Sequence, residues 1–200
     1  MIDSWIDIIL GTKVKKNVDK SVDKNKQGVN VFSSKKIDRW DNKFLLEATF
    51  WSRFSHDQQT KCGCVLVKDK TALSTGYNGF IRNVDDESLP KKRPNKYPFM
   101  IHAEANAIYN CTRLGRSTLG ATAYITAIPC ANCLQALYQC GIKEIVFTDI
   151  SNPKCVITES HYKTIFGMVS DMIKINYIPA SSLDESEFVD CCLEITKKKQ

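Results

Sequence analysis

His102-Ala103-Glu104 and Pro129-Cys130-Ala131-Asn132-Cys133 hold three soft metal ligands and one carboxylate. An imidazole and two thiolates suit zinc, and a catalytic zinc takes three protein ligands and keeps a fourth position for water, whereas a structural zinc is closed by four. Here the count is three. His102, Cys130 and Cys133 therefore point to a reaction centre, with Glu104 as a carboxylate that ligates nothing and moves a proton beside the ion.

The elements that carry these residues follow from their spacing. Cys130 and Cys133 are three apart, which puts both sulfurs on one face of a first helical turn, and Pro129 is pre-set for a helix start at or just before it. His102 and Glu104 are two apart and would diverge along a regular helix, so both reach one ion only if it lies off the helix N-terminus. Both helices thus aim their N-termini at the site, where the positive dipole ends favour thiolates.

Ile37, Trp40, Phe44, Ala48 and Trp51 recur at helical steps and predict a first helix with one buried face. Thr60 to Val67 and Thr71 to Tyr77 read as strands of a hairpin joined at Lys68-Asp69-Lys70, ended by Gly76-Tyr77-Asn78-Gly79, and Phe80 to Pro98 as a long polar loop. Thr122 to Ile128 is a strand, Cys130 to Cys140 a helix closed by Gly141, and Glu144 to Thr148 a strand. A helix marked by Tyr162, Ile165, Phe166, Val169 and Ile173 and a strand over Ile173 to Ile178 complete the pattern. The alternation predicts the α/β class: a five-stranded mixed sheet with helices on both faces and the metal at the ends of the central strands.

The chain has 200 residues, 43% hydrophobic and 25% charged, as expected of one globular domain. Residues 37–182 read as that domain, 1–36 as an N-terminal extension without helix or strand periodicity, and 183–200 as a C-terminal tail. Trp5, Ile6, Ile8, Ile9 and Leu10 form a short apolar patch within the extension, docked or frayed. No run approaches a membrane span, and Asp3 and Asp7 stand where a signal peptide carries Lys or Arg, so the expected location is the cytoplasm, the host's if the source is viral. Nine cysteines without a disulfide spacing imply a reducing compartment. The formal charge is +6, but the extension holds eight Lys against four Asp and Lys197, Lys198 and Lys199 add three more, so the body carries no net positive charge. That distribution argues against nucleic acid as the substrate.

Thr60-Lys61-Cys62-Gly63-Cys64-Val65, Gly76-Tyr77-Asn78-Gly79-Phe80, Asp85-Asp86, Lys96-Tyr97-Pro98, His102-Ala103-Glu104-Ala105-Asn106-Ala107-Ile108, Pro129-Cys130-Ala131-Asn132-Cys133 and Gly141-Ile142-Lys143-Glu144 follow one another. Over about Trp40 to Pro179 the chain resembles the deoxycytidylate (dCMP) deaminases, nearest to their bacteriophage and viral branch. The His-x-Glu and Pro-Cys-x-x-Cys elements alone are shared by zinc deaminases at large.

The resemblance implies a three-layer cytidine-deaminase-like fold, zinc at the N-termini of two central helices, and hydrolysis of dCMP to dUMP and ammonia, feeding thymidylate synthesis. It implies that His102, Cys130 and Cys133 hold one Zn2+ and that Glu104 is catalytic. Asn78, Asn106 and Ala103 are the expected substrate contacts, Asn78 because an amide offers donor and acceptor. Gly76, Tyr77, Asn78, Gly79 and Arg82 are the expected contacts of regulatory dCTP (activating) or dTTP (inhibiting), with Mg2+ accompanying the triphosphate. A homo-oligomer, commonly a hexamer, is likewise implied. The 5′-phosphate needs cations, and Arg82, Lys91, Lys92, Arg93, Lys96 and Lys154 are candidates by loop position; Ile150-Ser151-Asn152-Pro153 departs from the family where a Tyr is common. Alternatives are a deaminase of modified dCMP or of dCTP, a nucleic-acid deaminase, and a non-catalytic nucleotide-sensing zinc module.

Overall fold

A computed structural model describes residues 33–151 and 160–186. The expectations for the Trp5 to Leu10 patch, Lys154, Cys155, Cys191, Cys192 and the end of the tail lie outside these residues. A two-residue strand β1 (Ser33–Ser34) precedes helix α1 (Arg39–Ser52), strands β2 (Gly63–Lys68) and β3 (Thr71–Tyr77) and helix α2 (Ala103–Arg113). Strand β4 (Thr122–Ile125), helix α3 (Ala131–Gln139), strand β5 (Glu144–Phe147), helix α4 (Ser160–Ser170) and strand β6 (Lys174–Tyr177) follow.

The sheet runs β1-β6-β5-β4-β2-β3, with β2 antiparallel to both neighbours and the β4, β5, β6 and β1 pairs parallel. The five expected strands are present, and β1 adds a short sixth at the edge through Ser33 opposite Asn176 and Ser34 opposite Tyr177. Those two serines were assigned to the extension from sequence, because a two-residue strand has no periodicity to read. At the other end the domain runs past 182. Leu183 packs against the core under α1, and Asp184 exchanges two 2.8 Å hydrogen bonds with the Asn42 amide.

Alternation along the central strands divides the core into two layers. Cys64, Leu66, Ala123, Ile125, Ile145 and Phe147 face α2, α3 and α4, while Val65, Val67, Tyr124 and Val146 face α1. Strands buried on both faces are what parallel pairing with helical crossovers requires. The β2–β3 turn is Asp69-Lys70, both with positive φ (50° and 60°), matching the twist of a two-residue hairpin.

Helix α1 packs its expected face on the core through Phe44 and Ala48, with Ile37 and Trp51 against the same cluster, and departs from the expectation at two positions. Trp40 is 37% exposed, and Asp41 is buried with Phe44, Leu45, Ala48 and Ser52. Asp41 closes a capping box with Asp38, takes a 2.8 Å ion pair from Lys35 and accepts a hydrogen bond from the Tyr124 hydroxyl at 3.1 Å. Three partners compensate the burial of one carboxylate, which a count of apolar residues cannot anticipate. No helix among the described residues is long and apolar enough to cross a membrane.

Candidate active site

His102 is the N-cap of α2 (φ −71°, ψ 156°) and Cys130 the N-cap of α3 (φ −71°, ψ 169°). A residue with extended backbone at this position projects its side chain off the helix end, where Ser, Thr, Asp or Asn would fold back onto free N–H groups. Neither His102 nor Cys130 caps its helix. Both side chains are released towards each other, and Cys133, one turn into α3, completes the group. Cys130 Sγ lies 3.4 Å and Cys133 Sγ 3.5 Å from His102 Nδ1, and the three donor atoms all lie within 4.8 Å of one another.

This donor set fits zinc. Metal bonds of about 2.3 Å to sulfur and 2.0 Å to nitrogen at a tetrahedral angle hold their atoms roughly 3.5 Å apart, the spacing found here. Glu104 stands outside the trio.

The helix carrying His102 and Glu104 is fixed to β3. A Cβ on Gly76 would lie 2.3 Å from the Ala103 carbonyl oxygen and 2.4 Å from the Ala107 nitrogen, so only glycine admits the helix this close. Asn106 Nδ2 donates to the Tyr77 carbonyl at 2.8 Å, Asn110 Nδ2 to that of Thr75 at 2.6 Å, and Ser74 Oγ to that of Ala107 at 2.7 Å. On the far side Ala103, Ala107, Ile108 and Cys111 of α2 and Ala131, Leu134 and Leu137 of α3 share one buried cluster, which sets the distance between the two N-termini.

Electrostatics place the group's negative charge on Cys130. The His102 imidazole is raised to about 9, first by its hydrogen bond to Cys130 and then by the nearby Glu104 and Cys130 charges. Cys130 is drawn down to about 4, first by the hydrogen bond from Cys133 and then by that from His102, so its thiolate forms readily. The same bond and burial drive the Cys133 thiol up, leaving the shared proton on that sulfur. Glu104 is 6% exposed, and burial pushes its carboxyl above the ordinary carboxylate range although the His102 charge pulls it down.

A cavity of about 180 Å³ opens on this group. Its walls include His102, Ala103, Glu104 and Cys130 together with Asp57, Thr60, Asn78, Arg93 and Lys96. Ala103 and Asn78 line it as expected. The Asn78 amide is largely engaged by the protein: Nδ2 donates to the Thr60 carbonyl at 2.8 Å and Asp57 Oδ2 at 3.2 Å, and Oδ1 accepts from Cys62 N at 2.7 Å. One lone pair of Oδ1 is left over.

Asn106 does not reach this cavity. Its Nδ2 donates to the Tyr77 carbonyl, and it lines a second cavity of about 310 Å³ together with Gly76, Tyr77, Gly79 and Arg82. Successive residues of the segment face opposite ways, so Tyr77 and Gly79 belong to one cavity and Asn78 to the other. Asp57 is the wall residue that sequence reasoning missed. It lies 39 positions from its partner Lys96 in a stretch with no periodicity, and only the fold brings them together.

Residues 38–149 match the model of the cytidine and deoxycytidylate deaminase zinc-binding region. A probable deoxycytidylate deaminase of Caenorhabditis elegans is 36% identical over 145 residues, spanning 66% of this chain and 72% of the relative. The human deoxycytidylate deaminase is 32% identical over 115 residues, 54% of this chain; the chain spans 64% of the human protein, a little under two thirds. Among solved structures, the dCMP deaminase of cyanophage S-TIM5 in complex with dCMP and dUMP matches in fold with a TM-score of 0.59 at 19% identity, over 72% of this chain and 99% of that one.

Proposed function

The chain belongs to the cytidine and deoxycytidylate deaminase family, and from that premise we propose that it converts dCMP to dUMP and ammonia with His102, Cys130 and Cys133 as the zinc ligands and Glu104 as the catalytic residue. The observation that carries the reading is the three-donor group at two facing helix N-termini, with a buried carboxylate beside it that belongs to no ligand set. Zinc, when bound, supplies a Lewis acid that lowers the pKa of water from about 15.7 to about 7.

The chain's own residues do the rest. Glu104 takes a proton from the attacking water as its oxygen adds to C4 of the pyrimidine, and delivers that proton to N3. The same carboxylate then receives the remaining hydroxyl proton and passes it to the departing amine, so ammonia leaves and the 4-keto product remains. Burial, which raises its pKa above the ordinary carboxylate range, favours the proton-bearing form that this delivery needs. Ala103, fully buried at the cavity wall, leaves room for the flat ring, and the spare lone pair of Asn78 Oδ1 accepts a substrate hydrogen bond.

Regulation by dCTP and dTTP, with Mg2+ on the triphosphate, belongs to the same proposal. The 310 Å³ cavity lined by Gly76, Tyr77, Gly79, Arg82 and Asn106 supports it, because it abuts β3 and α2 and so touches the elements that hold His102 and Glu104. A homo-oligomer working in the cytoplasm is the accompanying expectation. The test is ammonia release from dCMP, CMP, dCTP and deoxycytidine, each with and without added dCTP or dTTP. Turnover of dCMP well above the others supports the reading, and turnover of none of them ends it.

A further inference from the structure

Helix α1 buries Asp41, Phe44, Leu45, Ala48 and Ser52. On the opposite face Arg39, Lys43, Leu46, Phe50 and Arg53 recur at four- and three-residue steps and so form one stripe, in which three cations frame two large apolar side chains. Phe50 is 45% exposed, and Leu46 is half-buried and packs into neither core layer among the described residues. The apolar surface continues past the helix end, where the Phe54 ring, 48% exposed, lies 5.4 Å from that of Phe50. A single exposed phenylalanine needs no explanation. A run of apolar side chains rimmed by charge is the pattern of a docking surface.

The end of the described chain arrives at this stripe. Leu183 packs on the core under α1, and the two hydrogen bonds between Asp184 and Asn42 fix the chain three positions past Arg39 and four before Leu46, at the edge of the stripe. Asp184 Oδ1 then accepts from Ser186 N at 2.9 Å, the bond of a helix N-cap, and Ser186 is helical. Residues 187–200 lie beyond the described ones, but their order can be read. Asp184 followed three positions on by Glu187 is a capping-box signature. Phe188, Cys191, Cys192 and Ile195 recur at i, i+3, i+4 and i+7 as one apolar helix face, which Val189 and Leu193 widen, and Glu187, Asp190 and Glu194 fill the rest of the turn.

We propose that the chain's own residues 187–196 dock as an amphipathic helix along the outward stripe of α1, with Phe188, Cys192 and Ile195 on Leu46, Phe50 and Phe54. The lengths agree. Asn42 to Phe50 spans about 12 Å of helix and Phe188 to Ile195 about 10 Å, and a segment that starts beside Asn42 meets Leu46 and Phe50 only by running towards the end of α1. The charges agree as well, since the acids at the edges of the apolar face come beside Arg39, Lys43 and Arg53. A second copy of α1 would set those three cations against themselves. Other exposed apolar groups suit the segment less: Lys43 and Lys70 each stand 5.1 Å from the Trp40 ring, and Met168 belongs to α4 on the far face of the sheet. Covalent attachment makes the contact intramolecular, so a short apolar stripe suffices. The docked helix braces the aromatic end of α1, where the Phe54 ring lies 6.2 Å from that of Tyr77 and Ser55 Oγ donates to the Asn78 carbonyl at 2.6 Å. It thereby supports the segment that joins the walls of the two cavities, whether or not the chain deaminates dCMP.

The experiment is amide hydrogen exchange, read by mass spectrometry on the full chain with zinc. One variant changes the stripe, Leu46→Gln with Phe50→Gln, and a second changes the tail, Phe188→Gln with Ile195→Gln. In either, amides of residues 188–195 should exchange at least about tenfold faster than in the wild type while those of β4 and β5 keep their rates. All four substitutions together should add less than about twofold to either pair, since they break one contact. Should the stripe variant loosen β4 and β5 too, the tail variant decides, because its substitutions lie outside both core layers. Leu46→Cys, oxidised mildly with zinc in place, should form a disulfide with Cys191 or Cys192 inside one chain, seen as a monomer on a non-reducing gel. Tail amides that exchange within twofold of one another in the wild type and both variants overturn the proposal. So does a disulfide that joins two chains, which would make the occupant the tail of a second copy.

Discussion

Glu104 carries the sharpest consequences at the scale of single residues. It is buried at the second position of α2, two residues past His102, and outside the donor trio. Glu104→Gln keeps the shape and removes the transferable proton, so zinc content measured per chain should stay at one while ammonia release falls about 10²- to 10⁴-fold, the usual weight of a positioned acid–base group. Loss of zinc in that variant would make Glu104 a ligand and the assignment of roles wrong. Cys130→Ala should do the reverse: zinc content drops and activity goes with it, because two donors remain where three met. These four residues were legible in the sequence because each pair is local, two or three positions apart, and local spacing on a helix end is geometry already. Lys96 was named as a loop cation, but Asp57 and the pairing of the two were not legible, since nothing links two residues in separate loops until β2 and α2 are packed. Asn78 was legible as a residue of the site, but its bonds within the protein were not. Its amide fastens Cys62, Thr60 and Asp57 before it touches any ligand, and no turn motif reveals what a side chain is already bonded to.

Among the elements, α2 is the one whose placement the chemistry depends on. It meets β3 through Gly76, where the Ala103 carbonyl and the Ala107 nitrogen occupy the volume of a missing Cβ. Gly76→Ala therefore pushes the N-terminal turn of α2, with His102 and Glu104, away from the sheet while α3 and Cys130 stay behind. Both close contacts are backbone atoms that cannot rotate aside, so the variant should lose about 1–3 kcal/mol of stability by overpacking. Activity and zinc affinity should fall further than chemical denaturation alone accounts for. The check is zinc affinity and ammonia release at a temperature where the variant is still folded by circular dichroism; full retention of both would mean that the helix end does not set the site. The order of helices and strands was readable because their periods are strong. The inward face of α1 was readable at Phe44, Ala48 and Trp51, whereas the burial of Asp41 in place of Trp40 was not, because the three partners of Asp41 come together only in the fold. Edge strand β1 was invisible for lack of length.

Across the whole molecule, the trio fastens together two helices that otherwise meet only through side-chain packing. His102 and Cys130 are the N-caps of α2 and α3, each helix lies on the same sheet face, and their common cluster holds Ala103, Ala107, Ala131, Leu134 and Leu137. Unlike a small zinc finger, this domain has two substantial core layers, so it should remain folded when the ion is stripped and lose stability only by the binding free energy. With free zinc at a hundred times its dissociation constant, mass action contributes about 2.7 kcal/mol. For a domain of this size each kcal/mol moves the melting midpoint by about 2–4 °C, so chelation should lower it by roughly 5–10 °C, and added zinc should restore it. Glu104→Gln should follow the wild type in this titration and Cys130→Ala should not respond at all, since the first keeps the three donors and the second does not. A midpoint indifferent to chelator in the wild type would mean that the three donors hold no ion, whatever their spacing, and a complete unfolding would mean that the core under α2 and α3 is not self-sufficient.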